Sequence, residues 1–452
     1  MKTGEKKLKR VTDMTQGEPL RLILMFAIPI LIGDIFQQMY TMADTMVVGH
    51  ALGDNAIAAI GGVAPLYNLI LYFSIGLNEG YQIIMTQKFG AHNEKELKQS
   101  IAGMLMLSVG ITAFLTIMAL ITLKPVLHFM NIPETIFEMS YSYIRVVFAG
   151  IICTVAYNMF ASILRAVGNS RIPLYFLIFA SVLNVGLDIW FVMGLNWGLA
   201  GAALATMMAQ GISAVLCGGY IWKHYRDLLP EKEDFRVPKS ILKALLTTGF
   251  SMAFMEGIIS IGTIIFQRAN NVFGETIIAS YTAARRIIDM LMRPMFNLAT
   301  ANCIFAGQNW GAGKPERINE GLKKVLVLET VWSIIAGLFV YLLGAQIIEI
   351  TTGTSDVSII ENAVLSMRIH LVCYPVLGVL ICLRTVMQAK GRKTAPIISS
   401  CIELGMKIFS AFYLIPKFGF LGTCITEPVT WIFMMTYLIA AYVWQSKRAA
   451  EC

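Results

Sequence analysis

Charge is scarce in this chain. Only 14% of its 452 residues are Asp, Glu, Lys or Arg, against 56% hydrophobic, and the mean hydropathy is +0.66. A soluble domain carries roughly a quarter charged residues, so a soluble globular fold is excluded and an all-α polytopic membrane protein is expected. Histidine is also scarce, with five in all. No HExxH, paired-His or DDxxD-like pattern occurs, which leaves an intramembrane enzyme without its motif. The eight cysteines include no CxxC and no His-paired cluster. Cys153, Cys217, Cys303, Cys373, Cys382, Cys401 and Cys424 lie in apolar runs, so they read as small hydrophobes and not as a disulfide or metal framework. The basic stretch up to Arg21 is not followed by a small-residue cleavage site, and it reads as a cytoplasmic tail. The net charge of +8 does not imply nucleic acid, because basic excess in a membrane protein belongs first to cytoplasmic loops.

What the chain does have is repetition. Gln87-Lys88-Phe89-Gly90-Ala91 returns as Gln308-Asn309-Trp310-Gly311-Ala312, 308 − 87 = 221 residues later. Leu164-Arg165-Ala166-Val167-Gly168 through Pro173 returns as Met387-Gln388-Ala389-Lys390-Gly391 through Pro396. Gly198 and Gly201 return as Gly419 and Gly422, again 221 apart. Echoes in order at a nearly constant offset mean a duplicated unit, and in an apolar chain this suggests a transporter built from two halves.

Stretches of ~20 apolar residues, enough to span a bilayer, fall near 21–48, 56–86, 100–122, 140–164, 173–194, 198–222, 241–268, 279–305, 321–345, 358–387, 396–415 and 421–445. Twelve spans make two parallel six-span repeats. The expected organisation is an N-tail (1–20), an N-lobe (21–223), a polar linker (224–240), a C-lobe (241–445) and a C-tail (446–452). Basic residues crowd the N-tail (Lys6, Lys7, Lys9, Arg10), the linker and alternate loops, whereas Gly49–Asn55 has none. The positive-inside bias therefore places both termini on the cytoplasmic side.

Ionisable groups inside spans are expensive and point to function. Asp44 lies in the first span. Asp188 lies in the fifth, with Asn184 one turn away on the same face. Thr206 in the sixth span and Asn158 in the fourth add oxygens. Two carboxylates with amide and hydroxyl oxygens suit Na⁺, which Asp44, Asn184, Asp188 and Thr206 would ligate, or a proton. The plainer alternative is that each Asp is capped by backbone or faces headgroups. At the 221 offset Asn184 and Asp188 fall on Gly405 and Phe409, while Glu403 and Lys407 offer an i,i+4 pair. An ion site of this kind would belong to the first half alone.

These residues sit in motifs that resemble a known family. Phe26-Ala27-Ile28-Pro29…Phe36-Gln37-Gln38-Met39-Tyr40…Asp44, Leu164-Arg165-Ala166-Val167-Gly168-Asn169, Leu183-Asn184…Asp188, Gly198…Thr206 and Gly307-Gln308-Asn309-Trp310-Gly311-Ala312 resemble multidrug and toxin extrusion (MATE) transporters, closer to their DinF-like than their NorM-like branch. The resemblance implies two six-helix lobes in a V around a central cavity. It also implies a non-enzymatic monomer that exports amphipathic, often cationic, small molecules in exchange for H⁺ or Na⁺, with no cofactor. It assigns the ion site to Asp44, Asn184, Asp188 and Thr206, with Tyr40 and Asn158 in support and Pro29 as a hinge. Asp34, Gln38, Glu79, Glu256 and Arg285 are candidate cavity or substrate residues. Asp34 and Glu79 depart from the family's usual neutral or small residues, and Glu256 is the alternative coupling carboxylate. Arg285, Asp289 and Arg293, spaced i, i+4, i+8, could form a self-satisfied ladder. A lipid-linked saccharide flippase of the same superfamily is the alternative function, sustained by Arg268, Arg285, Arg286 and Arg293.

Overall fold

The computed structural model describes residues 12–451, and all regular structure among them is helical. The first half comprises α1 (Pro19–Leu52), α2 (Asp54–Gly90), α3 (Glu94–Phe129), α4 (Glu134–Ala166), α5 (Arg171–Asp188) and α6 (Gly198–His224). A short 3₁₀ turn, Arg226–Leu228, lies in the polar linker. The second half comprises α7 (Lys239–Asn270), α8 (Glu275–Gly311), α9 (Pro315–Thr352), α10 (Val357–Val372), α11 (Tyr374–Ala389), α12 (Thr394–Phe409), α13 (Ile415–Phe418) and α14 (Phe420–Glu451). Each expected apolar stretch falls on one or two of these helices.

Two expected spans differ in kind from the rest. Among the described residues, ten helices are long and apolar enough to cross a membrane, and α10 with α11 makes an eleventh, bent by 50°. The bend has a local cause: Pro375 stands in the first turn of α11, where its missing N–H and its ring prevent a continuous helix. The stretch near 279–305 lies in α8, which is 37 residues long but carries Arg285, Arg286, Asp289, Arg293, Asn297 and Asn302. Composition alone does not mark it as a span. α8 is flanked by α9, α10 and α11; it buries Asn297 and Asn302, while Arg286 and Arg293 stay exposed.

The chain divides into two compact units. Unit 1 is Ile28–Ala253 with the segment ending at Met14; unit 2 is Thr15–Ala27 with Phe254 onward. The first helix of each repeat, α1 and α7, therefore contributes to both units. In unit 2, the residues ahead of α1 are fixed to α9: Lys314 Nζ donates to Thr15 O (3.0 Å), Arg317 to Gly17 O (2.9 Å), and Lys324 pairs with Glu18 (2.7 Å). The Lys324 ammonium and the backbone N–H of Arg21 hold the Glu18 carboxyl below its ordinary value. In unit 1, α4 packs along α6 and α2 along α4. The first part of α7 lies so close to α2 that a Cβ at Gly80 would sit 2.5 Å from Gly249 Cα.

The duplication is visible in backbone geometry. Asn169 N donates to Leu164 O and Arg392 N to Met387 O, both at 2.9 Å. Each closes a helix through a glycine at positive φ: Gly168 at +82° and Gly391 at +74°. The fifth helix of the first repeat ends in a π-helical turn, Ile189–Gly194, and its counterpart ends in one at Ser410–Leu414. Their starts are 410 − 189 = 221 residues apart, the offset of the sequence echoes.

Gly80→Ala is expected to destabilise the protein by roughly 1 to 3 kcal/mol, because the clashing atoms are backbone and cannot rotate away. Gly110→Ala in α3, with open space around it, should be neutral or slightly stabilising. Thermal unfolding of the two variants in detergent, compared with the parent, checks this.

Candidate ion site

In unit 1, three helices bring oxygen atoms together. α5 lies on α6, joined by Ser213 Oγ donating to Phe176 O (3.0 Å) and by Asn184 Nδ2 donating to Thr206 Oγ1 (3.3 Å). α1 lies on α5 where Gly33 meets Leu174 and Leu177. Thr206 is otherwise satisfied by its own helix, its hydroxyl donating to Ala202 O (3.1 Å). The Asn184 amide is thereby turned so that its nitrogen is used and its oxygen is free.

Asp188 is 0% exposed, and Asn184 is also buried. Asp188 is the last α-helical residue before the π-turn, a kind of helix irregularity frequent at functional sites. Its carboxyl and that of the half-buried Asp44 are charged neighbours across α5 and α1. No protein donor reaches Asp44 Oδ1, either oxygen of Asp188, or Asn184 Oδ1. Tyr40 and Tyr143 lie within electrostatic reach of both carboxyls. Tyr40, Ser181, Asn184, Thr206 and Gln210 line one small cleft between these helices. Gln210 Oε1 is likewise buried without a donor.

Buried polar atoms are almost always paired, and a buried acceptor left alone costs about 1–3 kcal/mol, more if charged. Here several lie together, and all are acceptors. A bound cation or proton satisfies such a cluster; a neutral apolar ligand does not. Among the described residues no group of three or more His, Cys, Asp or Glu converges, so the donor set lacks the nitrogen and sulfur that transition metals favour. Carboxylate, amide and hydroxyl oxygens match a hard ion such as Na⁺.

The other sequence-predicted residues are placed elsewhere. Asn158 donates to Thr154 O on its own helix (3.0 Å). Pro29 lies inside α1, next to the boundary where the helix passes from unit 2 to unit 1. Asp34 is half-buried; Gln38 and Glu79 are exposed. Glu256 belongs to unit 2, where Arg384 and Glu403 are its charged neighbours. Arg285 bonds Asp289 (2.9 Å), as the i,i+4 spacing predicts, and reaches across to Glu427 (2.5 Å), whereas Arg293 is exposed. Glu403 and Lys407 do pair (2.9 Å), with Thr263 Oγ1 as a further acceptor for Lys407 (3.2 Å).

Sequence reasoning overlooked Gln210 and Tyr143. The signal for Gln210 was available: it follows Thr206 by four residues and so shares its helix face. Tyr143 has no such signal, since its approach to Asp44 depends on how α4 packs.

A family model described as MatE matches residues 29–190 and 251–413, which is both halves of the chain. The chain is 25% identical to the probable multidrug resistance protein YoeA of Bacillus subtilis, over 95% of each chain. It is 28% identical to YpnP of the same organism, likewise named a probable multidrug resistance protein, over 68% of each. Among solved structures it resembles the outward-facing conformation of a multidrug resistance MATE family transporter of the MOP superfamily, with TM-score 0.88 and 22% identity, covering 100% of this chain and 99% of that one. With the family model matching both repeats and the helical fold shared end to end, this multi-pass membrane protein belongs to the MATE transporter family.

Proposed function

We propose that the protein is a cation-coupled exporter of small amphipathic, cationic compounds, exchanging them for H⁺ or Na⁺ by alternating access. The observation that carries this reading is the facing pair Asp44–Asp188, surrounded by acceptor oxygens that no protein donor satisfies. Two relatives bear the name probable multidrug resistance protein, which supports small drug-like substrates, and the paired acids favour cationic ones. Asp44, Asn184 and Asp188 also support placing the chain in the DinF-like branch. The bacterial relatives support a location in the bacterial plasma membrane, and the loop charges support both termini inside.

In this scheme a cation entering from outside takes the place between Asp44 and Asp188. Neutralising the pair removes both their mutual repulsion and the counter-charge for a cationic substrate. Asn184, Thr206 and Tyr40 supply the remaining polar atoms. α1 then changes its bend at Pro29, where the missing N–H leaves the Met25 carbonyl without its helical partner and lowers the cost of bending. Asp34, Gln38 and Glu79 are the substrate contacts of unit 1. The ion and the substrate must each bind one state better than the other, and that difference is the entire driving force for exchange. Glu256, with Arg384 beside it, is the second carboxylate to test. The flippase alternative calls for unneutralised arginines, and the pairing of Arg285 with two carboxylates supports the exporter.

Asp188→Asn puts an amide donor beside Asp44 and removes a charge. The variant should unfold at higher temperature than the parent in Na⁺-free neutral buffer, by a margin on the order of 1–3 kcal/mol. It should also lose the stabilisation that the parent gains from Na⁺ or from acid; a variant that still responds like the parent refutes the site. Asp44→Asn should insert normally yet abolish gradient-driven export in proteoliposomes. Undiminished efflux from that variant overturns the coupling role. Counterflow with Na⁺ and pH gradients imposed separately distinguishes the two ions.

A further inference from the structure

Unit 2 contains a buried titratable pair outside the Asp44–Asp188 site. His370, on α10, is 1% exposed. Its Nδ1 lies 2.8 Å from Ser366 O, one helical turn earlier. A carbonyl oxygen only accepts, so Nδ1 carries a hydrogen. The other ring nitrogen, Nε2, faces Glu427 Oε2 at 3.5 Å, and Oε2 is buried with no other donor. A neutral ring held in this way presents the Nε2 lone pair to a carboxylate oxygen. Two acceptors then face each other in a dry site, and one added proton resolves the conflict.

Glu427 Oε1 pairs with Arg285 Nη1 (2.5 Å), and Arg285 Nε bonds Asp289 (2.9 Å). Arg293 is a further cation near Asp289, and none of these cations reaches Glu427 Oε2. Around them stand Tyr281 on α8, Tyr374 on α11 and Lys407 on α12. Lys407 is already paired with Glu403, and the tyrosine hydroxyls are neutral. α9 also packs against α10, but its buried acid, Glu329, has the Cys382 thiol as its contact (3.9 Å). Trp431 closes the remaining side, its ring edge-on to the imidazole at 5.9 Å.

We propose that His370 and Glu427 form a second proton-binding site, in unit 2, with the proton held between Nε2 and Oε2. It is separate from Asp44 and Asp188 and shares no residue with them. Loss of the proton sets a lone pair against a carboxylate across α10 and α14. His370 is three residues before the break at Cys373, and Cys373 N donates to His370 O (3.0 Å). Proton occupancy thus acts on the packing of α10 next to its bend.

The test uses the full chain, ¹⁵N-labelled at histidine, in lipid nanodiscs. His370 resonances are assigned by their loss in His370→Gln, which keeps an N–H donor toward Glu427 without a titratable ring. At neutral pH the expected spectrum shows both ring nitrogens of His370 protonated. Failing that, infrared difference spectra should show a protonated-carboxyl band that Glu427→Gln removes. Glu427→Gln should in either case return His370 to a neutral ring with hydrogen on Nδ1 alone. A neutral His370 in the parent, with no protonated-carboxyl band sensitive to Glu427→Gln, overturns the proposal. The same spectra recorded on Asp44→Asn should be unchanged, so the outcome stands apart from the coupling role given to Asp44.

Discussion

Hydrocarbon offers a polypeptide no hydrogen bonds, and that constraint shapes every element of this protein. Backbone groups must be satisfied within the chain, so the described residues form helices joined by short turns. Side chains obey the same rule. Many serine and threonine hydroxyls donate to the carbonyl four residues earlier: Ser74 to Ile70, Thr86 to Gln82, Ser181 to Leu177, Ser333 to Glu329, Thr430 to Thr426. Against this background of local satisfaction, a group of acceptors without donors stands out as chemistry and not as packing. Asp44, Asn184, Asp188 and Gln210 form such a group.

The two halves share a backbone but not a way of handling charge. Both repeats keep the positive-φ glycines that close their helices and the π-turn after the fifth helix, because those features set the path of the chain. Unit 1 leaves its two carboxylates facing each other without a protein cation. Unit 2 surrounds its acids with Arg285, His370, Arg384 and Lys407. A pair without a protein cation carries charge that the protein does not balance, whereas acids beside arginine and lysine have most of theirs cancelled. Duplication followed by divergence of a few side chains thus leaves the two halves with different surroundings for their buried acids.

The helices that open each repeat have a further property. α1 passes from unit 2 to unit 1 beside Pro29, and α7 passes from unit 1 to unit 2 after Ala253. The start of α1 is held to α9 by Lys314, Arg317 and Lys324, while Asp44 lies further along the same helix. A proline thus stands within a helix that is anchored at its start and carries a half-buried carboxylate further on.

By itself the sequence determined the features that depend on local composition and spacing. Hydropathy marks the helices, the 221-residue offset marks the duplication, glycines mark the positive-φ turns, and the i,i+4 spacing of Asn184 and Asp188 places both on one face. It also made Asp44 conspicuous, because a carboxylate in an apolar run is costly. Partner choice was not legible. Asp44 and Asp188 are 188 − 44 = 144 residues apart, and Arg285 and Glu427 are 427 − 285 = 142 apart. Nothing local says that the first pair meets without a cation while the second meets as an ion pair with a histidine on its far side. The polar α8 does not read as a span by composition, and the pairing of its Arg285 with Glu427 appears only when α14 is in place. Spacing along one helix fixes which residues share a face. Which faces meet is decided by the packing of whole helices, and in a medium where each buried charge must find a partner, that packing separates an ion site from a structural salt bridge.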